Sequence, residues 1–449
     1  MRRICLVLLV VATICSSNVL AQDSLNVSRL SRWTAAATTV YNEVWGIAQG
    51  GREYAIIGTW RGTYFIDVTD PQNPVQVAYV AGVDESCFCT HRDYHDYNGY
   101  LYMVTDEDPA TLQIVDMSNL PNSVTKVYDS DILFNRSHNI FIDSTSGILY
   151  SFGGSPNAGI SAYSLADPLN PFLMNNFPTP GGYIHDGYVR NDTMYAHAGG
   201  SGMFVYDFSV VLSPQLIGSL DFYPHKGYNH SGWLNKKGDV YVFADETKNK
   251  DVKVADVSDL SDILIVDTVN TGGDTNSMAH NVLIKDGLAY VSYYMDGLWI
   301  YDITNPSNTT VAGWYDMYVG IGDTMTGGGS WGVYPFLPSG NVLVSDMRSG
   351  LFVFDVSEVK ASVESVKQKK PSFEVVPNPV LDLITMRFEE HVNLQSISVI
   401  DLSGRVVEYS EATLSGTSIE YSLGKLAPGQ YLLNVTTDKG TFASKITKG

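Results

Sequence analysis

The chain has few long apolar runs, few cysteines and few cationic residues, and each shortage excludes a class of protein. The run from Ile4 to Ile14 follows two arginines but is too short to form a permanent bilayer-spanning helix. Followed by Val19-Leu20-Ala21, it is typical of a signal peptide over residues 1–21, cleaved after Ala21. No later run is apolar and long enough to cross a membrane, so we expect a soluble mature chain.

Two of the four cysteines, Cys5 and Cys15, lie in that peptide, which leaves only Cys87 and Cys89. This number excludes a disulfide-stapled scaffold. Lys and Arg number 28 against 48 Asp and Glu, for a net charge of −20. Nucleic acid and anionic membranes are therefore poor partners.

Motifs of common enzyme classes are also missing. No glycine-rich phosphate loop follows a strand and opens a helix, and Gly327-Gly328-Gly329 lacks the required lysine. No nucleophile-elbow motif occurs. Helical periodicity is scarce, whereas Val, Ile, Tyr and Phe dominate short runs between glycine turns, which indicates an all-β fold.

The sequence does contain a repeated strand that ends in an acidic residue and a small polar turn, as in Tyr64 to Asp67 followed by Val68-Thr69-Asp70-Pro71. Seven copies lie roughly 43 to 53 residues apart, and the third has Ser164 in place of the acid. This period suits four-stranded propeller blades. We therefore predict a seven-bladed β-propeller followed by a small C-terminal β-sandwich.

The last copy ends after its third strand, at Asp355, and one strand is missing. The segment from Leu25 to Trp33 resembles a fourth strand without a blade. Pairing the two would close the ring and remove exposed strand edges. We predict a propeller over residues 22–357 closed in this way, a linker over 358–371 and a second domain over 372–449.

The opening Tyr41 to Gly46, the Asp67 to Pro71 turn and Thr90-His91-Arg92-Asp93 resemble the bacterial LVIVD-repeat, "choice-of-anchor B" family. The resemblance covers roughly residues 25 to 356 and implies an extracytoplasmic propeller with no established reaction.

Four motifs of the tail resemble a type IX secretion C-terminal sorting domain: Val376 to Pro379, Ile400 to Val407, Leu426 to Leu433, and Ser444 to Ile446. This resemblance implies a Bacteroidetes-type source, the type IX secretion machinery as partner, and an extracellular or outer-membrane-surface location.

A second register of the repeat carries histidine at the start of the first strand of five blades: His91, His138, His185, His230 and His280. Tryptophan stands near this position in the other two, at Trp45 and Trp331. First strands of propeller blades line the central channel, so these residues are expected to converge. We predict a metal site of the five histidines, with zinc or calcium as candidate ions, and contributions to ligand binding from Trp45, Asp93, Asp186 and Trp331.

Other interpretations of these residues stay open. The histidine rings could instead bridge blades by hydrogen bonds to backbone carbonyls. Cys87, Cys89, His91 and His95 are close enough in sequence to chelate zinc, although one residue between two cysteines is unusual for such sites and a local disulfide competes. Acidic loops such as Asp106-Glu107-Asp108 and Asp245-Glu246 could bind calcium or be solvated turns.

The leading hypothesis is a secreted or cell-surface binding module with its site at the channel mouth, for an extracellular polymer or surface ligand. A metal-dependent extracellular hydrolase or lyase at the same mouth is the alternative. A purely structural surface protein is a third reading.

Overall fold

The computed structural model describes residues 24–36, 39–86, 89–272, 277–317, 328–368, 373–401, 405–411 and 413–449. The predicted signal peptide and Cys87 lie outside these ranges. The chain divides into two compact units, one ending at Ser362 and the other beginning at Val363.

The first unit begins with two short strands, β1 (Ser24–Leu25) and β2 (Ser28–Trp33), and continues as seven antiparallel sheets. The strands of blades 1 to 3 are β3 Tyr41–Gln49, β4 Arg52–Thr59, β5 Gly62–Asp67 and β6 Val75–Ala81; β7 Arg92–Tyr97, β8 Tyr100–Thr105, β9 Leu112–Asp116 and β10 Thr125–Ser130; and β11 Asn139–Asp143, β12 Ile148–Phe152, β13 Ile160–Ser164 and β14 Phe172–Phe177. Those of blades 4 and 5 are β15 Asp186–Arg190, β16 Thr193–His197, β17 Met203–Asp207 and β18 Gln215–Leu220; and β19 Asn229–Leu234, β20 Val240–Asp245, β21 Val252–Asp256 and β22 Leu264–Val269. Blades 6 and 7 contain β23 Ala279–Lys285, β24 Leu288–Tyr293, β25 Gly297–Asp302 and β26 Thr310–Tyr315; and β27 Ser330–Tyr334, β28 Val342–Asp346 and β29 Gly350–Asp355.

The first strands of the seven sheets form a closed circle. In chain order β3, β7, β11, β15, β19, β23 and β27 each contact the next, and β27 contacts β3. The all-β, seven-bladed propeller predicted from the repeat is confirmed, and the buried apolar residues fill the spaces between neighbouring sheets.

The repeated acid at the end of each third strand has a local structural role. In blade 1, Oδ1 of Asp67 accepts a hydrogen bond from the backbone N–H of Thr69, and Asp116, Asp207, Asp256, Asp302 and Asp355 make the same bond two residues on. In the degenerate copy, Ser164 Oγ accepts the equivalent bond from Ala166. Such bonds fix the turn that leads into the fourth strand, so the acid has a structural role in each of these blades.

The N-terminal strands close the ring across two blades. β2 pairs antiparallel with β29 and supplies the fourth strand of blade 7, whereas β1 pairs with β26 as a fifth strand of blade 6. Asn26, between them, has a φ of 55°, which asparagine tolerates better than most residues. The segment Leu25–Trp33 therefore does not form one strand, because it turns from one blade to the next.

The segment predicted to be a linker contains a helix, α1 (Ser357–Gln368). Glu358 stands in its first turn, and Val359 is completely buried. A β-carbon on Gly313 of β26 would lie 2.7 Å from Val359, so the helix begins packed on blade 6. Among the described residues, no helix is long and apolar enough to span a bilayer.

The second unit is a small β-sandwich, as predicted, with strands β30 Phe373–Val376, β31 Leu383–Asp401, β32 Val406–Glu411, β33 Ser415–Ser422, β34 Gly429–Thr437 and β35 Gly440–Lys448. The 19-residue strand β31 belongs to both layers, pairing with β30 and β33 in one and with β32 and β34 in the other. A parallel bridge from Val380 to Lys448 nearly closes the structure around its own apolar core.

Candidate functional site

Irregular backbone at the start of the first strands lets neighbouring residues face the channel together. In regular strands successive side chains point to opposite faces. The β3–β4, β19–β20, β23–β24 and β27–β28 pairs each have a register shift at this point, as between Asn229 and Ser231. His138 and His185 directly precede β11 and β15. Such bulges re-aim side chains, and here they lie at His230 and His280, whereas His91, His138 and His185 stand just before strands with regular pairing.

Five histidines and one tryptophan form a ring around the axis, which we call the histidine ring. Neighbouring ring centroids lie 5.1 Å apart for His91–His138, 4.0 Å for His138–His185, 4.4 Å for His185–His230, 4.3 Å for His230–His280, 4.8 Å for His280–Trp331 and 5.4 Å for Trp331–His91. All six line one cavity together with Asp93 and Asp186. The structure thus brings together every predicted site residue except Trp45.

Acidic residues from the loops after second strands contact three of the histidines. Glu107 Oε1 lies 2.6 Å from His91 Nδ1, and Asp106 Oδ2 lies 2.8 Å from His138 Nδ1. Burial lowers the pKa of His91, but the hydrogen bond and charge of Glu107 outweigh it and raise this pKa overall. In contrast, His280 Nδ1 bonds to the Trp331 carbonyl at 2.7 Å, and burial lowers the pKa of His280 to about 3.

The third acid, Glu246, completes a group that can hold a metal ion. One ligand atom from each of His185, His230 and Glu246 lies within 4.8 Å of the other two. Nε2 of His185 and Nδ1 of His230 are buried without a hydrogen-bond partner among the described residues. Burial and the neighbouring histidines hold the pKa of both rings well below the ordinary value, so both are neutral at physiological pH. Neutral imidazole is the form that binds metals.

Tyrosine hydroxyl groups support this group from outside. Tyr294 Oη donates to Glu246 Oε1 at 2.8 Å, and Tyr228 Oη lies 3.2 Å from His185 Nδ1. When the first nitrogen of an imidazole is hydrogen-bonded through its N–H, the second presents a lone pair. These contacts fix the orientation of the Glu246 carboxylate and the His185 ring.

Below the histidine ring, a second layer contains three buried carboxyl groups, from Glu43, Asp93 and Asp186. Burial raises the pKa of Glu43 and of Asp186 to about 7, and that of Asp93 well above its ordinary value. Backbone N–H groups of Val44 and Ile140 donate to Glu43 and Asp93. Sequence reasoning missed Glu43, although it occupies in blade 1 the position of Asp93 in blade 2.

A third layer, which we call the aromatic ring, contains side chains that follow the second layer by two residues along the first strands, as Trp45 follows Glu43 and His95 follows Asp93. Trp45, His95, Phe141, Trp233 and Tyr334 belong to it, and Phe336 completes it from the loop after β27. Trp45 lies here, with its ring centroid 4.9 Å from that of His95, rather than beside Trp331 in the histidine ring. The two tryptophans look equivalent in sequence, since each precedes a glycine, but they occupy different levels of the channel.

Two of the weaker metal candidates are not supported. Asp245, proposed as a calcium ligand, is completely buried and pairs with Lys253 Nζ at 2.8 Å. Its two oxygens also accept hydrogen bonds from Tyr223 Oη and the Gly227 N–H, which leaves no calcium loop there. Cys89 is disulfide-bonded and offers no thiolate.

Comparisons with known proteins agree with this architecture. Residues 276–317, within blade 6 and the loops beside it, match the LVIVD repeat. Residues 374–448 match the secretion system C-terminal sorting domain. The chain is an LVIVD-repeat propeller with a type IX sorting domain. Its destination is therefore the cell surface or the extracellular space, and its sorting domain implies interaction with the type IX secretion machinery.

One solved structure similar to the propeller protein is a crystal structure of a protein from Lactobacillus plantarum, a structural genomics target, with a TM-score of 0.50 and 13% sequence identity. The match covers 86% of this chain and 99% of that one. At this identity it supports the fold alone. No curated protein matches the chain.

Proposed function

We propose that this propeller is an extracellular binding module that holds one divalent transition-metal ion in its histidine ring, with His185, His230 and Glu246 as ligands. The observation that carries the proposal is a pair of buried imidazole nitrogens for which the described part of the chain offers no hydrogen-bond partner, because an unsatisfied buried polar atom in a folded protein requires an explanation. An ion held between the three side chains would provide one, because each residue offers a ligand atom within 4.8 Å of the other two. His230 faces Glu246 Oε2 through its Nε2, at 3.7 Å.

The donor set favours zinc, copper or nickel over calcium. Two imidazole nitrogens and one carboxylate oxygen suit borderline metals, whereas calcium takes six to eight oxygen ligands. The three protein ligands leave coordination positions open toward the cavity. An extracellular ligand with a carboxylate, imidazole or thiolate group could bind there, which makes the ion the point of attachment.

The remaining histidines differ in their hydrogen bonds. His91 and His138 are engaged by Glu107 and Asp106, and His280 by the Trp331 carbonyl. They surround the ion and narrow its access, and they are not needed as direct ligands. In the structural interpretation all five rings would bridge blades, whereas the proposal assigns His185 and His230 to the ion and only the other three to hydrogen bonds within the protein.

Metal content and titration test the proposal. Protein purified without chelator should contain one zinc, copper or nickel ion per chain, measured by elemental analysis, and the apoprotein should bind zinc in a calorimetric titration. His230→Ala should weaken zinc binding by more than about 100-fold, since loss of an outer-shell partner alone costs about 10- to 100-fold. Tyr294→Phe removes the outer-shell partner of Glu246, and its loss of zinc affinity should lie within this 10- to 100-fold range.

His280→Ala is the matched control, because His280 is as buried as His230 and lies next to it in the histidine ring. It should retain zinc affinity within a few-fold. Equal loss of zinc binding in both variants, or wild-type apoprotein that binds no zinc, would contradict the proposal. Thermal melting of each variant shows whether the propeller still folds.

One observation favours a second candidate, the metal-dependent hydrolase or lyase. Catalytic zinc sites use three protein ligands, including two histidines and a glutamate, and leave a position for water. Hydrolysis of extracellular polysaccharides or phosphoesters that requires zinc and disappears in His230→Ala but not in His280→Ala would establish it. Zinc binding without such activity would support the binding module and not the enzyme.

The remaining sequence predictions belong to this proposal. Residues 1–21 are a signal peptide, the source is of the Bacteroidetes type, and the chain is a member of the choice-of-anchor B group. Asp93, Asp186 and Trp331 line the cavity below and beside the ion and contact its ligand, whereas Trp45 contributes at the other end of the channel.

A further inference from the structure

The aromatic ring lines a second cavity, at the end of the channel away from the histidine ring. Its neighbouring ring centroids lie 4.9 Å apart for Trp45–His95, 5.0 Å for His95–Phe141, 6.0 Å for Phe141–Trp233, 5.4 Å for Trp233–Phe336 and for Phe336–Tyr334, and 5.1 Å for Tyr334–Trp45. Six rings therefore close a circle. They line a cavity of about 300 Å³, a size within the range of small-ligand pockets.

This circle is more than packing in the interior. Trp45, Phe141, Trp233 and Phe336 are each only half-buried, so their rings retain area that a ligand can cover. Trp45 is also held in place, because its Nε1 donates to Asp96 Oδ1 at 2.8 Å. Large aromatic side chains with fixed orientation supply most of the binding energy at many recognition sites.

The charges around the cavity narrow the choice of ligand. One charge of each sign lines the wall, from Arg190 and Asp143, so the two charges offset each other and neither a cationic nor an anionic ligand is favoured. Arg190 is held in place, because its Nη1 donates to the Asn235 carbonyl at 2.7 Å. The net charge of −20 disfavours a polyanion. A neutral ligand that combines apolar faces with hydroxyl groups remains, and the remaining N–H groups of Arg190 can donate to those hydroxyls.

We infer that the aromatic ring is a binding site for a neutral saccharide, the end or a side branch of an extracellular glycan. The C–H faces of pyranose rings pack on indole and phenyl faces, and their hydroxyl groups bond to Arg190 at the rim. Secretion brings the chain to the place where such glycans occur. The inference does not depend on the metal site, since no residue of the histidine ring lines this cavity.

Titration with three neutral hexasaccharides of different linkage, a β-1,4-glucan, an α-1,4-glucan and a β-1,4-mannan, tests the site. The full-length mature protein should show saturable binding of at least one, followed by calorimetry and by the fluorescence of Trp45 and Trp233. Trp45→Ala and Phe336→Ser should each weaken that binding by about tenfold or more. Phe336 lies on a loop, so its replacement tests the site with little risk to the blades.

Two controls keep the outcome specific. Trp314→Ala removes a half-buried tryptophan of β26 outside the channel and should leave saccharide affinity unchanged. His230→Ala should also leave it unchanged, which separates this site from the ion. The inference is overturned by the absence of saturable binding of all three saccharides at millimolar concentration, or by binding that persists in both aromatic variants.

Discussion

His230 and His280 are adjacent in the histidine ring, and hydrogen bonding distinguishes them. His280 Nδ1 bonds to a backbone carbonyl, whereas His230 Nδ1 is buried with no partner among the described residues. The bond of His280 ties its ring to the backbone, whereas His230 instead faces Glu246, with its Nε2 at 3.7 Å from Oε2. Within one repeated position, individual residues thus have different chemistry, and Glu246, from the loop after β20, selects the blade at which an ion can bind.

The buried carboxyl group of Glu43 predicts a pH-dependent stability. Its pKa in the folded protein is raised to about 7, above that of an exposed glutamate, and burial of the carboxyl group is the largest cause. The folded state therefore holds a proton that the unfolded state releases between pH of about 4 and 7, and stability falls as the pH rises through this range. Glu43→Gln should stabilise the protein at pH 8 by up to about 3 kcal/mol and change little at pH 4.

Chemical denaturation at the two pH values measures this difference. The amide of the glutamine can keep both bonds if Asn281, which donates to Glu43 Oε2 at 2.7 Å, turns its own amide. Glu358→Gln removes an exposed carboxylate and should have little effect at either pH. A Glu43→Gln variant that is less stable at pH 8 than at pH 4, relative to the wild type, would show that the fold lowers the pKa of Glu43 instead of raising it.

At the scale of elements, the N-terminal segment acts as a clasp between blades 6 and 7. Val27, between β1 and β2, is only 3% exposed, whereas Leu25 is 42% exposed. Val27→Asp should lower the free energy of unfolding of the propeller by about 3 kcal/mol, because it buries a charge without a partner. Leu25→Asp, two residues away, should cost less than about 1 kcal/mol. Equal costs in thermal or chemical unfolding would argue against the clasp.

Blade 5 contains a buried ion pair, and replacing only one of its two residues is expected to destabilise the propeller strongly. Lys253 and Asp245 have completely buried side chains, and Lys253 Nζ also donates to the carbonyls of His225 and Asp251. Lys253→Met leaves the carboxylate of Asp245 without its cation and should destabilise the propeller by about 3 to 5 kcal/mol. The double variant Lys253→Met/Asp245→Asn should recover part of this loss. Additive losses in denaturation curves would mean that the two groups do not interact.

The elements that sequence could predict are those that a repeat displays. The strands, the turns and the five histidines recur with the period of the repeat, and the number of repeats gives the seven blades. Each of these features can be recognised in the sequence without knowing which strands pair. The different levels of Trp45 and Trp331 were not predictable, because a β-bulge depends on how two strands pair. Glu246 was predicted to be a calcium ligand or a solvated turn acid, and its closeness to His185 was not predictable because the ring of blades sets that distance. Helix α1 was missed because its sequence, rich in Lys, Glu and Ser, resembles a solvated linker.

At the scale of the whole molecule, the chain consists of two compact units, of which the second is the sorting domain. Each has its own apolar core, and the division falls between Ser362 and Val363. A chain that ends at Ser362 should fold its propeller, with a melting temperature within a few degrees of that of the full chain. It should not reach the culture medium or cell surface, because the sorting domain is missing. Immunoblots of cell fractions and medium check this, and unchanged secretion would contradict it.

The clasp also imposes an order in time. The strand Ser28–Trp33, one of the first two to be synthesised, has its partner in Gly350–Asp355, the last strand of the propeller to be made. Blades 1 to 5 can pair internally as they emerge, but the circle stays open until nearly all of the propeller has been synthesised, and such distant pairings form slowly. The sorting domain follows directly afterwards. Completion of the ring and arrival of the export signal therefore nearly coincide.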